Sequence, residues 1–468
     1  MNAYPISFWQ ETAGPVAPRA AVEGEVEADV AVIGAGLCGL STAFYLKREQ
    51  PGLRVVVLEA DVCGYGASGR GSGVVKSPFG LRMHYTKLRF GAEAVREGFD
   101  FMTRAVEHVG ELVERHGVDC DYERTELMIV ATSPAGVRRL RSEYELARRV
   151  GIEDTYLLDA PEARRRLDSK TYLAARVERS CVMINPAKLV REFARLAEAE
   201  GAVIYEQTPA ASVEPEGERG PVVVETPRGR VRASKVVFAT NGYARLFPQL
   251  ASKQLPIGTY VVLTEPLTAA QLASLGWEGR EAIEDSPKLM TYYRLTPDNR
   301  LLMGGGDVVI RPGREMPPPH APEVFADIER HMLKTFPSLS GVRVTHRWGG
   351  PLSVTLDMAP AFGWLGGDRR VAYGFGCIGH GLGMMAYSGQ LMRDLVLERK
   401  TALTELFFVN RTLIPWPPEP LRFALAQGMR RYMQLEYNDA QRHIRENSDA
   451  PAETRAAGAR NVKATGVE

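Results

Sequence analysis

Two patterns of apolar positions follow one another between residues 29 and 59. Residues 29–33 form a short apolar run that ends at glycines, residues 40–48 carry apolar side chains at helical spacing, and residues 55–59 form a second short apolar run. Short apolar runs predict buried strands, and apolar residues three and four apart predict one face of a helix. A strand, a helix and a strand in this order predict a βαβ unit, and therefore a parallel sheet.

Beyond this unit the pattern predicts a mixture of helices and strands. Helical spacing extends over residues 93–116, 134–149, 186–201 and 384–398, and over an amphipathic stretch that ends near Asn447. Strand-like runs cover residues 203–205, 222–225, 235–239, 259–263 and 370–375. Turn residues at 296–299 lie between strand-like runs and predict an antiparallel hairpin. Residues 450–468 are polar and rich in alanine, which predicts a frayed or disordered tail.

Composition and charge exclude several classes of protein. At roughly 150 residues per domain, the 468 residues suggest about three domains. The 58 Lys and Arg residues nearly balance the 57 Asp and Glu residues, and this net charge of +1 argues against a nucleic-acid-binding protein. No apolar stretch is long enough to span a membrane, and residues 1–10 lack the pattern of a secretory leader. The five cysteines are scattered without a CxxC pair, so no disulfide framework and no metal site is expected. These features favour a cytoplasmic enzyme.

A glycine-rich turn directly after the first strand carries the strongest chemical signal. It consists of Gly34, Ala35, Gly36, Leu37, Cys38 and Gly39, and Glu59 follows 20 residues after the last glycine (59 − 39), with Ala60 beside it. In a dinucleotide site these glycines permit a tight turn, close approach of a pyrophosphate and close packing of helix on strand. The helix N-terminus favours the negative phosphates, and Glu59 can accept hydrogen bonds from a ribose. The alternative is a glycine-rich turn in an unrelated α/β protein.

A second glycine cluster at residues 64–73 indicates a ligand longer than a nicotinamide dinucleotide. Its candidate cofactor-binding residues are Gly66, Ala67, Ser68, Arg70, Gly71, Ser72 and Gly73. A flavin has to extend past the pyrophosphate, and Ser68, Arg70 and the neighbouring amides can line its phosphates and ribityl chain. The alternative interpretation is a flexible surface loop.

These motifs resemble the FAD-dependent amine and amino-acid oxidoreductases of the D-amino-acid-oxidase type, in particular their gamma-glutamylputrescine oxidase-like branch. The resemblance extends over roughly residues 8–422. It rests on residues 34–39, 66–70, 238–243, 292–300, 347–350 and 379–381. The hairpin at 292–300 and the Gly-His-Gly segment at 379–381 are the more specific of these motifs.

The resemblance implies an α/β fold, α+β overall, in which a Rossmann-like FAD-binding domain is interleaved with a substrate domain containing an antiparallel sheet. The implied FAD-binding domain comprises residues 24–86, 175–245 and 362–400. The substrate domain would then comprise residues 87–174 and 246–361. An N-terminal arm (1–23) and a C-terminal helix and tail (401–468) would flank them.

The resemblance also implies further cofactor contacts. Ala239, Thr240 and Asn241 would pass under the FAD, and Ala210 would lie beside the adenine. The segment Gly379, His380, Gly381, Leu382 and Gly383 would approach the flavin ring, where backbone N–H groups can stabilise the negative charge of the reduced flavin. His380 would either contribute to this site or hold the loop.

Two departures from the family pattern bear on the cofactor and the substrate. No Cys or His stands near Gly350 or Ser72, where covalent members attach the flavin, so we expect non-covalent FAD. Leu352 stands where oxidases of free α-amino acids carry an arginine that clamps the carboxylate. Arg82 or Arg294 could replace that arginine.

The expected reaction is hydride transfer to FAD from the carbon next to a primary or secondary amine, giving an imine that hydrolyses. The electron acceptor would be dioxygen or another compound. Candidate catalytic and wall residues are His380, Tyr260, Tyr293 and Trp348, with Tyr292 as a further aromatic wall; the alternative is that the aromatic residues belong to the core. Two other functions stay open: an amino-acid, hydroxy-acid or glycerol-phosphate dehydrogenase on the same fold, and a non-redox nucleotide-binding module.

Overall fold

The computed structural model describes residues 4–313 and 315–449. The tail expected to be frayed, residues 450–468, lies outside the described residues. Two β-sheets and the helices packed on them form the molecule.

Seventeen strands occur in the described part of the chain. In chain order they are β1 (Gly24–Ile33), β2 (Val55–Leu58), β3 (Val74–Lys76), β4 (Glu123–Ala131), β5 (Thr155–Asp159), β6 (Ala174–Met183), β7 (Val203–Tyr205), β8 (Ser212–Pro215), β9 (Val222–Thr226), β10 (Gly229–Phe238), β11 (Leu255–Pro266), β12 (Ala282–Asp285), β13 (Thr291–Leu295), β14 (Arg300–Gly305), β15 (Val344–Val354), β16 (Ala361–Leu365) and β17 (Asp368–Phe375).

Eleven α-helices occur in the same described ranges. They are α1 (Phe8–Thr12), α2 (Leu37–Glu49), α3 (Met83–Phe90), α4 (Ala92–His116), α5 (Pro134–Arg149), α6 (Ala160–Arg166), α7 (Pro186–Ala199), α8 (Ala269–Leu275), α9 (Pro322–Thr335), α10 (Gly381–Val396) and α11 (Leu421–Asp449). Short 3-10 turns cover Ala67–Gly69, Asn241–Leu246 and Pro337–Leu339.

The first sheet confirms the predicted parallel βαβ unit. Its main path runs β16-β17-β10-β1-β2-β7, and β1 pairs parallel to both β2 and β10. The strands β8 and β9 extend it as an antiparallel hairpin beside β10. The helices α2, α7 and α10 share a buried core with these strands, for example through Val32, Leu40 and Met392. Burial on both faces explains why the central strands have nearly continuous apolar sequences.

The second sheet contains the predicted antiparallel hairpin. Its path runs β15-β11-β14-β13-β12-β4-β6-β3, with β5 paired to β6. The hairpin is β13 and β14, which pair antiparallel around the turn predicted at residues 296–299. The parallel pairing of β12 with β4 joins the two antiparallel parts of the sheet.

Two strands from the segments predicted for the FAD-binding domain pair in the second sheet. The strand β3 lies within residues 24–86 and β6 lies almost wholly within residues 175–245. Both belong to the second sheet because β6 forms hydrogen bonds with β3, β4 and β5. The chain therefore crosses between the two sheets before residue 86 and returns after residue 183. Interleaving of two sheets in one α/β fold agrees with the predicted fold class, while the exact domain boundaries stay predictions.

The described part of the N-terminal arm, residues 4–23, packs against the rest of the molecule. Its helix α1 starts at a capping box, in which the Ser7 and Gln10 side chains accept from each other's backbone N–H groups. Trp9 of this helix is 1% exposed. None of the helices in the described ranges is both long enough and apolar enough to cross a bilayer.

Candidate active site

The glycine-rich turn joins β1 to α2 under severe steric constraint. Gly34 adopts a φ of +104°, and a Cβ atom there would lie 2.8 Å from the Ala239 carbonyl oxygen. A Cβ atom on Gly39 would lie 1.9 Å from the Gly34 carbonyl oxygen. The close packing of α2 on β1 and β10 therefore requires both glycines, as expected for a dinucleotide-binding turn.

Glu59 lies at the end of β2, beside this turn. Its carboxylate accepts hydrogen bonds from the Ala35 N–H (2.8 Å) and from the Asp61 N–H (3.0 Å). Burial raises the pKa of Glu59 to about 7, against the lowering effect of these two N–H groups. The Glu59 carbonyl oxygen accepts from the Thr208 N–H (2.8 Å), which brings the segment that contains Ala210 alongside.

The second glycine cluster is fixed by specific contacts. Ser68 Oγ accepts from the Leu37 N–H at the start of α2 (3.0 Å). Arg70 donates from Nε to the Tyr65 carbonyl oxygen (2.7 Å) and from Nη1 to the Pro5 carbonyl oxygen (2.5 Å). The Arg70 side chain thus ties the cluster to the N-terminal arm, so this segment is a packed wall and not a flexible surface loop.

The N-terminal arm covers the same cluster from outside. Ser7 Oγ donates to the Gly69 carbonyl oxygen (2.7 Å), and Trp9 Nε1 donates to the Gly71 carbonyl oxygen (2.8 Å). Both donors act on main-chain oxygens of the predicted cofactor loop. The arm therefore fixes the position of the loop backbone.

One cavity connects the two glycine clusters with the second sheet and with α11. The predicted cofactor residues that line it are Gly36, Leu37, Cys38, Ala67, Ser68, Arg70, Gly71, Ser72, Ala239, Asn241, Gly379, His380, Gly381 and Leu382. The predicted residues outside its lining are Gly34, Ala35, Gly39, Glu59, Ala60, Gly66, Gly73, Ala210, Thr240 and Gly383. Below, "cofactor end" means the part lined by residues 36–38, 67–68 and 70–72, and "apolar end" means the part lined by Ile257, Leu352, Trp416, Met429 and Met433.

The residues at the cofactor end fit an FAD molecule. A Cβ atom on Gly36 would lie 2.9 Å from Ser68 Oγ, so only a glycine leaves the backbone open at this point. The buried Thr240 Oγ1 and Tyr243 hydroxyl have no hydrogen-bond partner among the described residues. Buried polar atoms are normally paired; these two do not line the cavity themselves, but Ala239 and Asn241, on either side of Thr240, do.

His380 precedes α10 and lines the cavity. With the proton on Nδ1, the ring donates to the Ile378 carbonyl oxygen within its own loop (3.1 Å). Burial, and next the charge of Lys76, lower the pKa of His380 well below its usual value, so the ring is neutral at pH 7. The observed hydrogen bond corresponds to the alternative in which His380 holds its own loop. The ring also forms part of the cavity wall.

Two of the expected aromatic walls face away from the cavity. The Tyr260 hydroxyl donates to the Pro318 carbonyl oxygen (2.8 Å), and its ring packs on Phe325. The Tyr293 hydroxyl lies 2.6 Å from the Tyr172 hydroxyl in the same core. Adjacent residues on a strand point to opposite faces, and here it is Tyr292 that lines the cavity.

The third expected wall, Trp348, contacts the cofactor loop instead of the cavity. Its Nε1 donates to the Arg70 carbonyl oxygen (2.8 Å), and its side chain packs with Phe8 and Trp9 of the arm. None of Tyr260, Tyr293 and Trp348 lines the cavity, so the geometry does not support a catalytic wall at these residues, and that role stays a prediction.

A buried ion pair in the cavity was missed by the sequence analysis. Lys76 on β3 and Glu284 on β12 form a salt bridge, and their side chains are 7% and 9% exposed. Glu284 pairs across the strands with Tyr292, so both residues face the cavity. The strand Ala282–Asp285 carries two carboxylates, Glu284 and Asp285, and the available signal was that buried charges cost free energy unless they are paired or used.

Neither proposed substitute for the carboxylate-clamping arginine reaches the cavity. Arg82 donates to Glu436 (2.7 Å), and Arg294 donates to the Gly73 and Ile184 carbonyl oxygens (2.7 and 3.1 Å). Leu352 does line the cavity, opposite Ile257 on the neighbouring strand. Among the described residues, Arg70 is the one arginine in the lining, and it belongs to the cofactor end.

Comparison with known proteins places these features in a family. The family model described as "DAO: FAD dependent oxidoreductase" matches residues 29–395. The chain is 33% identical to the gamma-glutamylputrescine oxidoreductase of Escherichia coli (strain K12) over 426 residues, which are 89% of this chain and 94% of that protein.

Solved structures share the fold at lower sequence identity. The L-proline dehydrogenase from P. horikoshii superposes with a TM-score of 0.69 at 22% identity, covering 86% of this chain and 99% of that one. The L-alpha-glycerophosphate oxidase from Mycoplasma pneumoniae, solved with FAD bound, superposes with a TM-score of 0.65 at 15% identity, covering 84% of this chain and 100% of that one. At these identities the likeness concerns the fold alone.

Proposed function

Because this chain belongs to the DAO family of FAD-dependent oxidoreductases, we propose that it oxidises a primary or secondary amine at the carbon next to the nitrogen. Bound FAD supplies the acceptor for the hydride from that carbon, and the resulting imine hydrolyses to a carbonyl compound and an amine. The relative named gamma-glutamylputrescine oxidoreductase supports an amine substrate.

One observation carries the choice of an amine over a free amino acid. The cavity wall presents the buried carboxylate of Glu284, while Leu352, paired with Ile257 on the neighbouring strand, stands where a carboxylate clamp is expected. A carboxylate can accept an N–H hydrogen bond from an amine, whereas an α-carboxylate in an apolar pocket requires a cationic partner.

The residues of the chain have separate roles in this proposal. Glu284 accepts a hydrogen bond from the substrate nitrogen, and Lys76 holds the Glu284 carboxylate in place through the ion pair. The Tyr292 ring lies on the same face and forms a wall next to them. Apolar neighbours such as Ile257 and Leu352 exclude water, which strengthens the electrostatic contacts within the cavity.

FAD would be held mainly by main-chain groups. The turn at residues 34–39 would receive the pyrophosphate, Glu59 would accept from the ribose, and the start of α10 at Gly381 would face the flavin. No Cys or His stands next to Gly350 or Ser72 in the sequence, so attachment would be non-covalent. Acid precipitation should therefore release all the flavin into the supernatant, and yellow colour retained in the pellet would contradict this.

An amino-acid substrate is the second candidate. Lys76 and Lys288 line the cavity, and either ammonium could receive a carboxylate. Both are already engaged, however, because Lys76 pairs with Glu284 and Lys288 lies 3.4 Å from Glu436. An amino acid would therefore have to displace an existing ion pair.

The deciding experiment compares matched substrates under anaerobic conditions. The rate of FAD bleaching is measured for amines and for their α-carboxylated analogues with the same side chain. Faster reduction by the amines supports the proposal, and faster reduction by the amino acids across several pairs would contradict it. Admission of air afterwards shows whether dioxygen or another compound is the electron acceptor. A separate experiment, cell fractionation, tests the proposed cytoplasmic location.

A further inference from the structure

The C-terminal segment returns to the cavity after the part of the chain matched by the family model. The match ends at residue 395, yet Trp416, Ala426, Met429 and Met433 all line the cavity. Trp416 is 3% exposed, and its backbone N–H donates to the Ser252 carbonyl oxygen (2.7 Å). Part of the wall of the apolar end is therefore formed by residues that lie outside residues 29–395, the range matched by the family model.

Three positions of α11 form its cavity face. Ala426, Met429 and Met433 are spaced three and four residues apart, which places them on one side of the helix. They pack in one apolar cluster with Leu289, Val308, Ile310, Val354, Met358 and Ile378. Ile378 also belongs to the segment that leads into α10, so this cluster reaches the part of the cavity expected to hold the flavin ring.

Ion pairs fix α11 beside this cluster. Glu436 bonds Arg82 (2.7 Å) and Arg139, and lies 3.4 Å from Lys288. Arg430 donates to Asp307 (2.8 Å) on the chain just after β14. These charged groups hold the helix to the second sheet, while Met429 and Met433 remain available to contact a ligand.

The chemistry of the apolar end restricts what can bind there. Among the described residues its wall consists of aliphatic, methionine and tryptophan side chains, with Lys288 engaged by Glu436 and by the Tyr432 ring (4.4 Å). Transfer of each additional methylene from water to such a wall favours binding by about fourfold. Methionine side chains are flexible and adapt to chains or rings of different shape.

We propose that α11 is the specificity-determining wall of the cavity and that it selects amines whose remaining group is an apolar chain or ring. This inference rests on the proposed amine oxidation and adds the class of group attached to the amine. The nitrogen binds near Glu284, and the apolar group extends along Leu352 and Ile257 to Met429 and Met433. A zwitterionic group would have to displace the ion pair between Lys288 and Glu436.

The test uses the FAD-loaded full chain and two substitutions in the wall, Met429→Gln and Met433→Gln. Leu435→Gln is the matched control, because Leu435 lies on the outer side of the same helix and is 69% exposed. The substrates are straight-chain primary amines from propyl to octyl, together with gamma-glutamylputrescine. The measured quantity is kcat/KM for anaerobic FAD reduction, and flavin absorbance and content are recorded for each variant.

In the wild type, kcat/KM should rise by about fourfold per methylene until the cavity is filled. Each methionine variant should reduce this slope to twofold or less per methylene, and Leu435→Gln should keep it. An unchanged slope in both methionine variants with normal flavin content would overturn the proposal. Preference of the wild type for gamma-glutamylputrescine over every alkylamine would also overturn it.

A binding measurement separates this proposal from the proposed reaction. Primary alcohols of the same chain lengths are titrated against the FAD-loaded protein, and the change in flavin absorbance gives Kd without turnover. If the affinity for the alcohols rises with chain length in the wild type and not in the methionine variants, the role of α11 as a specificity wall is supported. This holds even if no amine reduces the flavin, in which case only the proposed amine oxidation is contradicted. Absence of any chain-length dependence in both measurements contradicts the wall.

Discussion

At the cofactor end of the cavity the walls come from two short glycine-containing segments, whereas at the apolar end they come from distant segments of the chain. Gly36, Ser68 and Gly71 come from two short stretches of sequence. Ile257, Leu352 and Met433 come from two strands of the second sheet and from the C-terminal helix. Under the proposed function, recognition of the cofactor would depend on local turns, while substrate selection would depend on the assembly of the whole fold.

The arm and α11 extend this comparison, because the arm contacts the loop at the cofactor end and α11 lines the apolar end. The arm donates hydrogen bonds to main-chain oxygens of the cofactor loop through Ser7 and Trp9. The helix α11 instead contributes Met429 and Met433 to the wall itself. Both lie outside the region matched by the family model, residues 29–395. We therefore expect changes in the arm to alter cofactor retention, and changes in α11 to alter substrate preference.

Substitution of Gly39 should have the largest effect and should act on the cofactor end. In Gly39→Ala the new Cβ would lie 1.9 Å from the Gly34 carbonyl oxygen, so the turn itself must move. We expect FAD affinity to fall by about 100-fold or more, as overpacking against main chain costs about 3 kcal/mol or more. Titration of the apoprotein with FAD measures this. Gly52→Ala is the control, because nothing lies within 4 Å of a Cβ there.

Glu284→Gln should affect turnover and leave the cofactor in place. Loss of a hydrogen bond to a charged group costs about 1.5–3 kcal/mol, so kcat/KM for the amine should fall by about 10- to 150-fold. The FAD content should equal that of the wild type. Glu143→Gln serves as the control, since Glu143 forms an ion pair with Arg176 (3.2 Å) outside the cavity lining. Equal kcat/KM in Glu284→Gln and the wild type would contradict the assigned role.

FAD affinity should decrease as the pH falls from 8 to 6. The pKa of Glu59 is raised to about 7, chiefly by burial, so this carboxyl is ionised at pH 8 and mostly protonated at pH 6. Ionised Glu59 accepts hydrogen bonds from the ribose hydroxyls. Because protonation of this single carboxyl removes such a contact, the Kd for FAD should rise by about tenfold between pH 8 and pH 6. Equilibrium dialysis at each pH measures the effect. Glu59→Gln should bind FAD with no such pH dependence, and an identical slope in this variant would exclude Glu59 as its source.

The smallest effect is expected from the arm. Trp9→Phe keeps an aromatic ring but removes the hydrogen bond from Nε1 to the Gly71 carbonyl oxygen (2.8 Å). A hydrogen bond of this kind contributes a net stabilisation of about 0.5–1.5 kcal/mol, so its loss predicts FAD dissociation that is about two- to tenfold faster. Ile6→Ser is the control, because Ile6 is 71% exposed. Dissociation is followed by flavin fluorescence after dilution, and equal rates in all three proteins would show that the arm does not retain the cofactor.

The sequence by itself determined the cofactor end. The strand, glycine turn and helix at residues 29–48 are contiguous, and the proposed contacts of this turn with FAD involve backbone atoms whose positions depend on local conformation. Residue spacing therefore predicted the turn, Glu59 and the second glycine cluster. The resemblance also predicted that Leu352 stands in place of the carboxylate-clamping arginine. That prediction needs only the identity of one residue and not its surroundings in the fold.

Only the tertiary structure decided the rest of the cavity. Whether Tyr292 or Tyr293 faces the ligand depends on the pairing of β13 with β12 and β14, and both faces of this sheet are covered, so apolar alternation could not distinguish them. The ion pair of Lys76 with Glu284 joins residues 208 positions apart. The wall formed by Met429 and Met433 depends on where α11 packs, because helical periodicity predicts an apolar face but not the surface that this face contacts.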